Sequence, residues 1–216
     1  AVCHQTDGDA GATGVVNTVV AGGHGLLEGH NTDVFGVRQA LLSAGVASGT
    51  GRLGLVLGTG GAARAAVVAL QQLGFQVVML GRSLDPAREF ARSRGVQLGS
   101  LGTRLPAGLD PAVVVQATPL GSRGERQASR PLPEWQPRPG TVVLDMVYQP
   151  YWTLFLREVA AVGAIPVPGA AMFLHQAAEQ LRHFGLAAPA VEELRDCLAG
   201  TAVSALPLPA AGPAKA

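Results

Sequence analysis

From Leu53 onward the apolar and polar positions alternate between short runs that predict strands and longer mixed stretches that predict helices. Leu55-Val56-Leu57 is an apolar run that meets Gly58-Thr59-Gly60-Gly61, and an Ala-rich helix with Arg64 in its first turns follows. Further runs at Phe75 to Leu80, Ala112 to Val115 and Thr141 to Leu144 are apolar at nearly every position. Continuous rather than alternating apolar character marks a parallel strand covered on both faces. Val96-Gln97-Leu98 and Gly163-Ala164-Ile165 predict short strands, and helices are expected from Asp85 to Arg94, over 151–161, from about Ala171 to Phe184 and from Ala190 to Leu198. Pro166 to Gly169 reads as a rigid turn, and Ser122 to Pro139, rich in Pro, Arg and Ser, as an irregular surface excursion pinned by Trp135.

The amino-terminal section has a different pattern. Residues 1–13 are polar and small, begin without methionine and hold no complete structural unit, so the chain is expected to start inside a larger protein. Val15 to Val20 and Leu26-Leu27 flank Ala21-Gly22-Gly23-His24-Gly25 and predict a hairpin, which alone is marginal and expects more sheet beside it. Val34 to Ala44 predicts a helix capped by Asn31 or Thr32. Asp33 then lies in the first turn, where the helix dipole stabilises a carboxylate.

Apolar run, glycine turn and helix together form the first βαβ unit of a dinucleotide site, in which glycines let the backbone approach a pyrophosphate at a helix N-terminus. The spacing Gly58-x-Gly60-Gly61-Ala62 departs from the usual three-glycine pattern, so a purely structural turn is the competing reading. The next strand favours the cofactor. A site for the unphosphorylated nucleotide presents Asp or Glu to the ribose at that strand's end. Here Gly81-Arg82-Ser83 stands there instead, offering a cationic fork and a hydroxyl to a 2′-phosphate, so NADP is expected over NAD. Two polar loops, Gln116 to Gly121 and Asp145 to Tyr148, follow strands at the same sheet edge, and Met172, His175 and Gln176 can share one face of the late helix.

Composition narrows the partners. A net charge of +1 argues against nucleic acid, and Arg88, Arg92 and Arg94, with Glu89 among them, read as a solvated helix face. Cys3 and Cys197 lack metal-site companions, so no metal ligands and a reducing compartment are expected. No apolar run reaches spanning length and no signal peptide opens the chain, so no membrane partner and a cytoplasmic location are expected. Of the 16 Lys plus Arg, 15 are arginine and the one lysine is Lys215, in a Pro/Ala-rich tail expected to be disordered. A mechanism that needs a lysine in a folded site must therefore obtain it from outside these residues.

From about Gly14 to Leu198 the chain resembles the carboxyl-terminal three-quarters of the shikimate dehydrogenase family, which interconverts 3-dehydroshikimate and shikimate with NADP. The resemblance rests on Gly14-Val15-Val16-Asn17-Thr18, Asn31-Thr32-Asp33, Gly58 to Ala62, Gln116-Ala117-Thr118-Pro119 and Met172 to Ala177, in the family's order and approximate spacing. It implies an α/β fold: a Rossmann-like NADP-binding domain with a parallel-sheet core, and a partial substrate-domain hairpin. It further implies a substrate-domain remnant over 1–32, a bridging helix and linker over 33–48, the NADP domain over 49–170, returning helices over 171–199 and a flexible tail over 200–216. By resemblance the catalytic residue is Asp33, and the substrate contacts, to shikimate or 3-dehydroshikimate, are Asn17, Asp33, Tyr148 and Gln176. The implied cofactor contacts are Gly58, Thr59, Gly60, Gly61, Ala62, Arg82, Ser83, Thr118, Gly169 and Met172; a homodimer is left open.

Several positions depart from the family pattern. Gly81 and Gln116 replace asparagines, which is expected to loosen cofactor contacts, and Pro168 replaces an acidic residue before the late helix. The family's catalytic lysine and its serine and threonine substrate contacts lie in an amino-terminal section not among these residues. Two competing functions follow: a noncatalytic NADP-binding or interaction module, and a quinate/shikimate dehydrogenase.

Overall fold

The structure is a computed structural model, and it describes residues 3–199. The predicted tail, with Lys215, lies outside the described residues. Two sheets organise the chain. The first is small and three-stranded, with β1 (Gln5–Thr6), β3 (Leu27–His30) and β2 (Thr18–Ala21) in that order. The second has six parallel strands: β6 (Gln97–Ser100), β5 (Gln76–Gly81), β4 (Leu53–Leu57), β7 (Val113–Gln116), β8 (Val142–Asp145) and β9 (Ile165–Pro168). From β4 the chain moves outward to one side, then returns and moves outward to the other. The carboxyl edge between β4 and β7 is therefore the point where strand order reverses, the place open α/β sheets bind ligands.

Alternation along the strands divides the core between two faces. Val56, Met79, Val115 and Leu144 face one layer, formed with α2 (Thr32–Ser43), α3 (Gly61–Gln72), α4 (Asp85–Ser93) and α6 (Gly169–His183). Leu55, Leu57, Leu80, Val114 and Val143 face the other, covered by α5 (Leu154–Ala161). Both faces are buried, which is why the strands read as unbroken apolar runs; a fully buried leucine such as Leu55 contributes about 1.5–3 kcal/mol. The parallel-sheet, Rossmann-like class expected from sequence is the observed one.

Four local expectations give way to the structure. Residues 8–13 form a short helix, α1 (Gly8–Thr13), because Asp7 caps it by accepting from Ala10 N at 2.6 Å. The hairpin is not alone, since β1 pairs in parallel with β3. Pro166 to Pro168 is strand rather than turn. Ile165 N donates to Thr141 O at 2.8 Å, so the intervening prolines direct their hydrogen-free nitrogens to the open edge of β9, where no ladder bond is lost. Residues 122–139 are irregular, as expected, but they are part of the core: Leu132 is fully buried in the second layer and Trp135 lies 6.3 Å from the Phe155 ring.

The small sheet is tied to the large one through helices. Arg64, in the second turn of α3, donates to Pro86 O at 2.8 Å and to Thr13 O at 3.5 Å and stacks over Phe90, linking α1, α3 and α4. The larger contact is between α2 and α6. At Gly36 the two helices come so near that a Cβ there would lie 2.7 Å from Met172 O and 2.9 Å from Gln176 Cβ. One of those obstacles is backbone and cannot rotate aside. The last short helix, α7 (Val191–Ala199), packs on α6.

This geometry makes two alanine substitutions opposite in sign. Gly36→Ala forces the α2–α6 pair apart and is expected to cost about 1–3 kcal/mol. Gly11→Ala, whose Cβ meets only Thr6 Oγ1 at 3.8 Å, should stabilise by about 0.5–1 kcal/mol through helix propensity. Urea unfolding followed by circular dichroism reads both.

Candidate active site

At the carboxyl end of β4 the backbone must turn sharply. Gly58 takes φ 125°, and a Cβ there would lie 2.9 Å from Ala117 O, so only glycine lets the loops after β4 and β7 touch. Gly60 caps α3 in extended conformation without a side-chain bond, which leaves the first N–H groups of the helix available to an anion, and the space beside it is open. Gly61 and Ala62 form the first turn, and a Cβ on Gly61 would meet Val15 of the amino-terminal section at 3.2 Å.

One strand over, Thr59 Oγ1 donates to Ser83 O at 3.1 Å and ties the glycine turn to the loop after β5. Gly81 explains itself here: a Cβ would fall 2.3 Å from Thr59 Cγ2, so Thr59 and Gly81 fill one space between them. Arg82 and Ser83 are exposed, and Arg82 has no ion-pair partner among the described residues.

On the other side of the edge, Asn17, Thr32, Asp33 and Gln176 come together. Asn31 Oδ1 accepts from Asp33 N at 3.1 Å and starts α2, which fixes the cap that the sequence left between Asn31 and Thr32. Thr32 N donates to Asn17 Oδ1 at 3.0 Å, and Thr32 Oγ1 donates to Gln176 Oε1 at 3.1 Å, joining the small sheet to α6. Burial pushes the Asp33 carboxyl above its ordinary range, and a hydrogen bond from Asn17 partly offsets this. Thr32, expected from sequence as a cap candidate and as part of the Asn31-Thr32-Asp33 motif but not as a site residue, bonds both Asn17 and Gln176; its signal was its place between two polar neighbours at a helix start.

The remaining expected residues stand in the loops after β7 and β8 and at the start of α6. Tyr148 is half-exposed and stacks on Phe173 at 4.9 Å, on the α6 turn beside buried Met172. Gly169 opens α6 directly after Pro168, wedged so that a Cβ would lie 2.6 Å from both Asp145 O and Val147 O. Thr118 follows β7, with its N–H on Gln116 Oε1 at 2.6 Å. The Arg82 corner and the Asp33 group share no direct hydrogen bond among the described residues.

At the ends of β7 and β8 is a pair the sequence did not single out for this task. Gln116 and Asp145 are opposite one another in the β7–β8 ladder, and both are fully buried. Gln116 Nε2 donates to Thr118 O and Leu120 O at 3.0 and 2.9 Å, so this side chain closes its own loop. Asp145 accepts from Val147 N at 3.1 Å, from Thr153 Oγ1 at 2.7 Å and, weakly, from Gln116 Nε2 at 3.4 Å. Burial nevertheless outweighs these bonds and pushes its carboxyl up to about 6. The available signal was two apolar strands that each end on a polar residue just before a loop.

No protein-family model matches the chain. Among curated proteins, the shikimate dehydrogenase (NADP(+)) of Oleidesulfovibrio alaskensis is 40% identical over 80% of this chain, which spans 61% of that relative's length. The shikimate dehydrogenase (NADP(+)) of Aeropyrum pernix is 41% identical over 86% of this chain and is itself covered over 68%. Among solved structures, shikimate 5-dehydrogenase from Thermus thermophilus in complex with NADP(H) and shikimate aligns with TM-score 0.76 and 33% identity, covering 90% of this chain and 71% of that one. Quinate dehydrogenase from Corynebacterium glutamicum in complex with NAD aligns with TM-score 0.76 and 26% identity, covering 92% and 72%.

The raised Asp145 carboxyl fixes the sign of a pH effect. The folded state holds the proton more tightly than the unfolded state, so this stabilisation is complete below about pH 4 and is lost as pH rises through about 6. Roughly 3 kcal/mol is at stake across that window. Asp145→Asn should therefore flatten the fall in unfolding free energy between pH 4 and 6 relative to the parent. Parallel curves for the two proteins would contradict it.

Proposed function

This chain belongs to the shikimate dehydrogenase family, and on that premise we propose that it holds NADP(H) across the carboxyl edge of the six-stranded sheet and presents Asn17, Asp33 and Gln176 to shikimate or 3-dehydroshikimate. The observation that carries the reading is the coincidence of three features at one edge. The glycine turn stands at the point of strand reversal, Arg82 is exposed at the end of the adjacent strand, and the Asn17–Thr32–Gln176 hydrogen bonds hold Asp33 on the opposite side.

The residues fit the cofactor. Open space at Gly60 and the uncapped start of α3 suit a pyrophosphate, and the exposed guanidinium of Arg82 with Ser83 beside it suits a 2′-phosphate. Thr118, Gly169 and Met172 would line the path toward the nicotinamide. NADPH, when bound, supplies the hydride that reduces the substrate C3 carbonyl. Asn17 and Gln176 orient the substrate, with Tyr148 at the margin of the cleft. Asp33, partly desolvated at the start of α2, attracts and orients a cationic partner that handles the proton at the reacting oxygen. The family's partner is a lysine, and none occurs in this sequence before Lys215. We therefore assign residues 1–32 to a substrate-side unit, 49–170 to the cofactor unit, and α6 to the return between them, in a cytoplasmic enzyme. The match to a quinate dehydrogenase keeps quinate as a second substrate to assay.

Two outcomes are expected. The chain should bind NADP(H) more tightly than NAD(H), and Arg82→Ala should remove roughly 1.5–3 kcal/mol of that preference, about tenfold to more than a hundredfold in affinity. Calorimetric titration showing equal affinity for both cofactors would exclude Arg82 as the phosphate reader. In an NADPH-absorbance assay, this chain alone should bind cofactor yet turn over 3-dehydroshikimate at background. With the relatives' lysine-bearing section placed ahead of Ala1 it should become active, and Asp33→Ala should then lower the rate about a hundredfold to ten-thousandfold. Robust turnover by the chain alone contradicts the lysine's role; a completed, cofactor-binding form inactive on shikimate and quinate points to the noncatalytic module.

A further inference from the structure

Away from the sheet edge, three chemically suited side chains from distant parts of the sequence meet at one place. Asp7 Oδ2 lies 3.0 Å from His30 Nδ1, and the His30 and His183 rings stack at 3.9 Å with a tilt of 26°. One donor atom from each of the three can be chosen so that all lie within 4.8 Å of one another. We infer that Asp7, His30 and His183 form a binding site for a borderline transition-metal ion such as Zn²⁺ or Ni²⁺, one that ties the carboxyl end of α6 to the small sheet.

The backbone holds two of the three in place. Asp7 caps α1 through its other oxygen and donates its N–H to Gly29 O at 3.0 Å, while His30 pairs with Thr18 in the β2–β3 ladder and accepts from Asn17 N at 3.0 Å. His183 is the last residue of α6, where a helix C-terminus favours a cation. Two imidazoles and a carboxylate make an N₂O donor set of the kind that zinc, nickel and copper prefer over magnesium or calcium. Glu179, one turn before His183, brings a further carboxylate oxygen to 3.8 Å from His183 Nε2. Three protein ligands leave a tetrahedral ion one position for water.

Binding requires modest movement. Donors around a tetrahedral ion stand about 3.4 Å apart when each bond is about 2.1 Å, so the stacked rings must turn their nitrogens toward one another. His183 and Asp7, with side chains 26% and 30% exposed, border solvent, while His30, 14% exposed, already has Nδ1 on Asp7 Oδ2. The same exposure provides the route of entry. An ion here would join elements that otherwise meet through ring stacking at this point, and would stabilise the folded chain by mass action. No local motif marks it in the sequence, because the histidines are far apart in the chain and one of them comes from the carboxyl end of α6.

The test is calorimetric titration of the chelator-treated 216-residue chain with Zn²⁺ and Ni²⁺, with Co²⁺ absorbance as the spectroscopic reading. The expected result is one saturable ion per chain, a visible Co²⁺ d–d spectrum of tetrahedral intensity, and a raised melting temperature with Zn²⁺. His183→Gln, at a partly exposed helix end, should weaken binding at least about tenfold. Asp7→Asn and His30→Gln should weaken it as well, each checked for folding by circular dichroism. His24→Asn and Cys3→Ser should leave the titration unchanged. Absence of saturable binding at millimolar ion, affinity equal to the parent in His183→Gln, or loss of binding in Cys3→Ser would each overturn the site.

Discussion

The close approach of α2 and α6 at Gly36 is the contact on which the geometry of the site depends. It sets the depth at which α2 lies on α6, and so whether Thr32 Oγ1 can reach Gln176 across the gap. Nearer still to its N-terminus the same helix is anchored where Gly169 is pressed against the carbonyls of Asp145, at the end of β8, and Val147. A displacement at either glycine would be carried along α6. Together with the Arg64 link from α1 to α3, these two close approaches hold α2 and α6, and through Thr32 the small sheet, against the large one.

Two carboxylates near this axis, Asp145 buried and Asp33 half-buried, experience the same force and are placed for different ends. Burial raises both Asp33 and Asp145. Asp145 is surrounded by donors from its own loop, from α5's cap Thr153 and from Gln116, so it fixes the loops after β7 and β8 in relation to each other. Asp33 has the Asn17 side chain on one side and is less enclosed, which suits a group proposed to pair with a cation. Among the described residues every buried side-chain nitrogen or oxygen has a partner, so these desolvated groups leave no unmet hydrogen bonds.

The cofactor half was legible in the sequence because its physics is local. Strands buried on both faces must be apolar throughout, and a helix that receives phosphate must begin on small residues, so Leu55 to Ala62 announced both. What escaped was decided by tertiary context. Pro166 and Pro168 read as a turn until the edge position of β9 showed that their missing N–H groups cost no ladder bond. Residues 8–13 were too short to show a helical period, and residues 122–139 showed no period at all although Leu132 completes a core. Gln116, Asp145 and Thr32 each looked like a loop or cap residue; their roles came from partners that lie across a strand pair or, for Gln176, at the far end of the chain.

Amide hydrogen exchange with NADPH, then with shikimate added to the NADP⁺ complex, tests most directly that the two halves meet at the carboxyl edge of the sheet. Cofactor should slow exchange over residues 58–62, 81–83 and 117–120, and shikimate should extend protection to residues around Asn17, Asp33 and Gln176. Protection confined to the opposite edge, in the depression lined by Arg52, Asp110 and Arg138, would contradict the account.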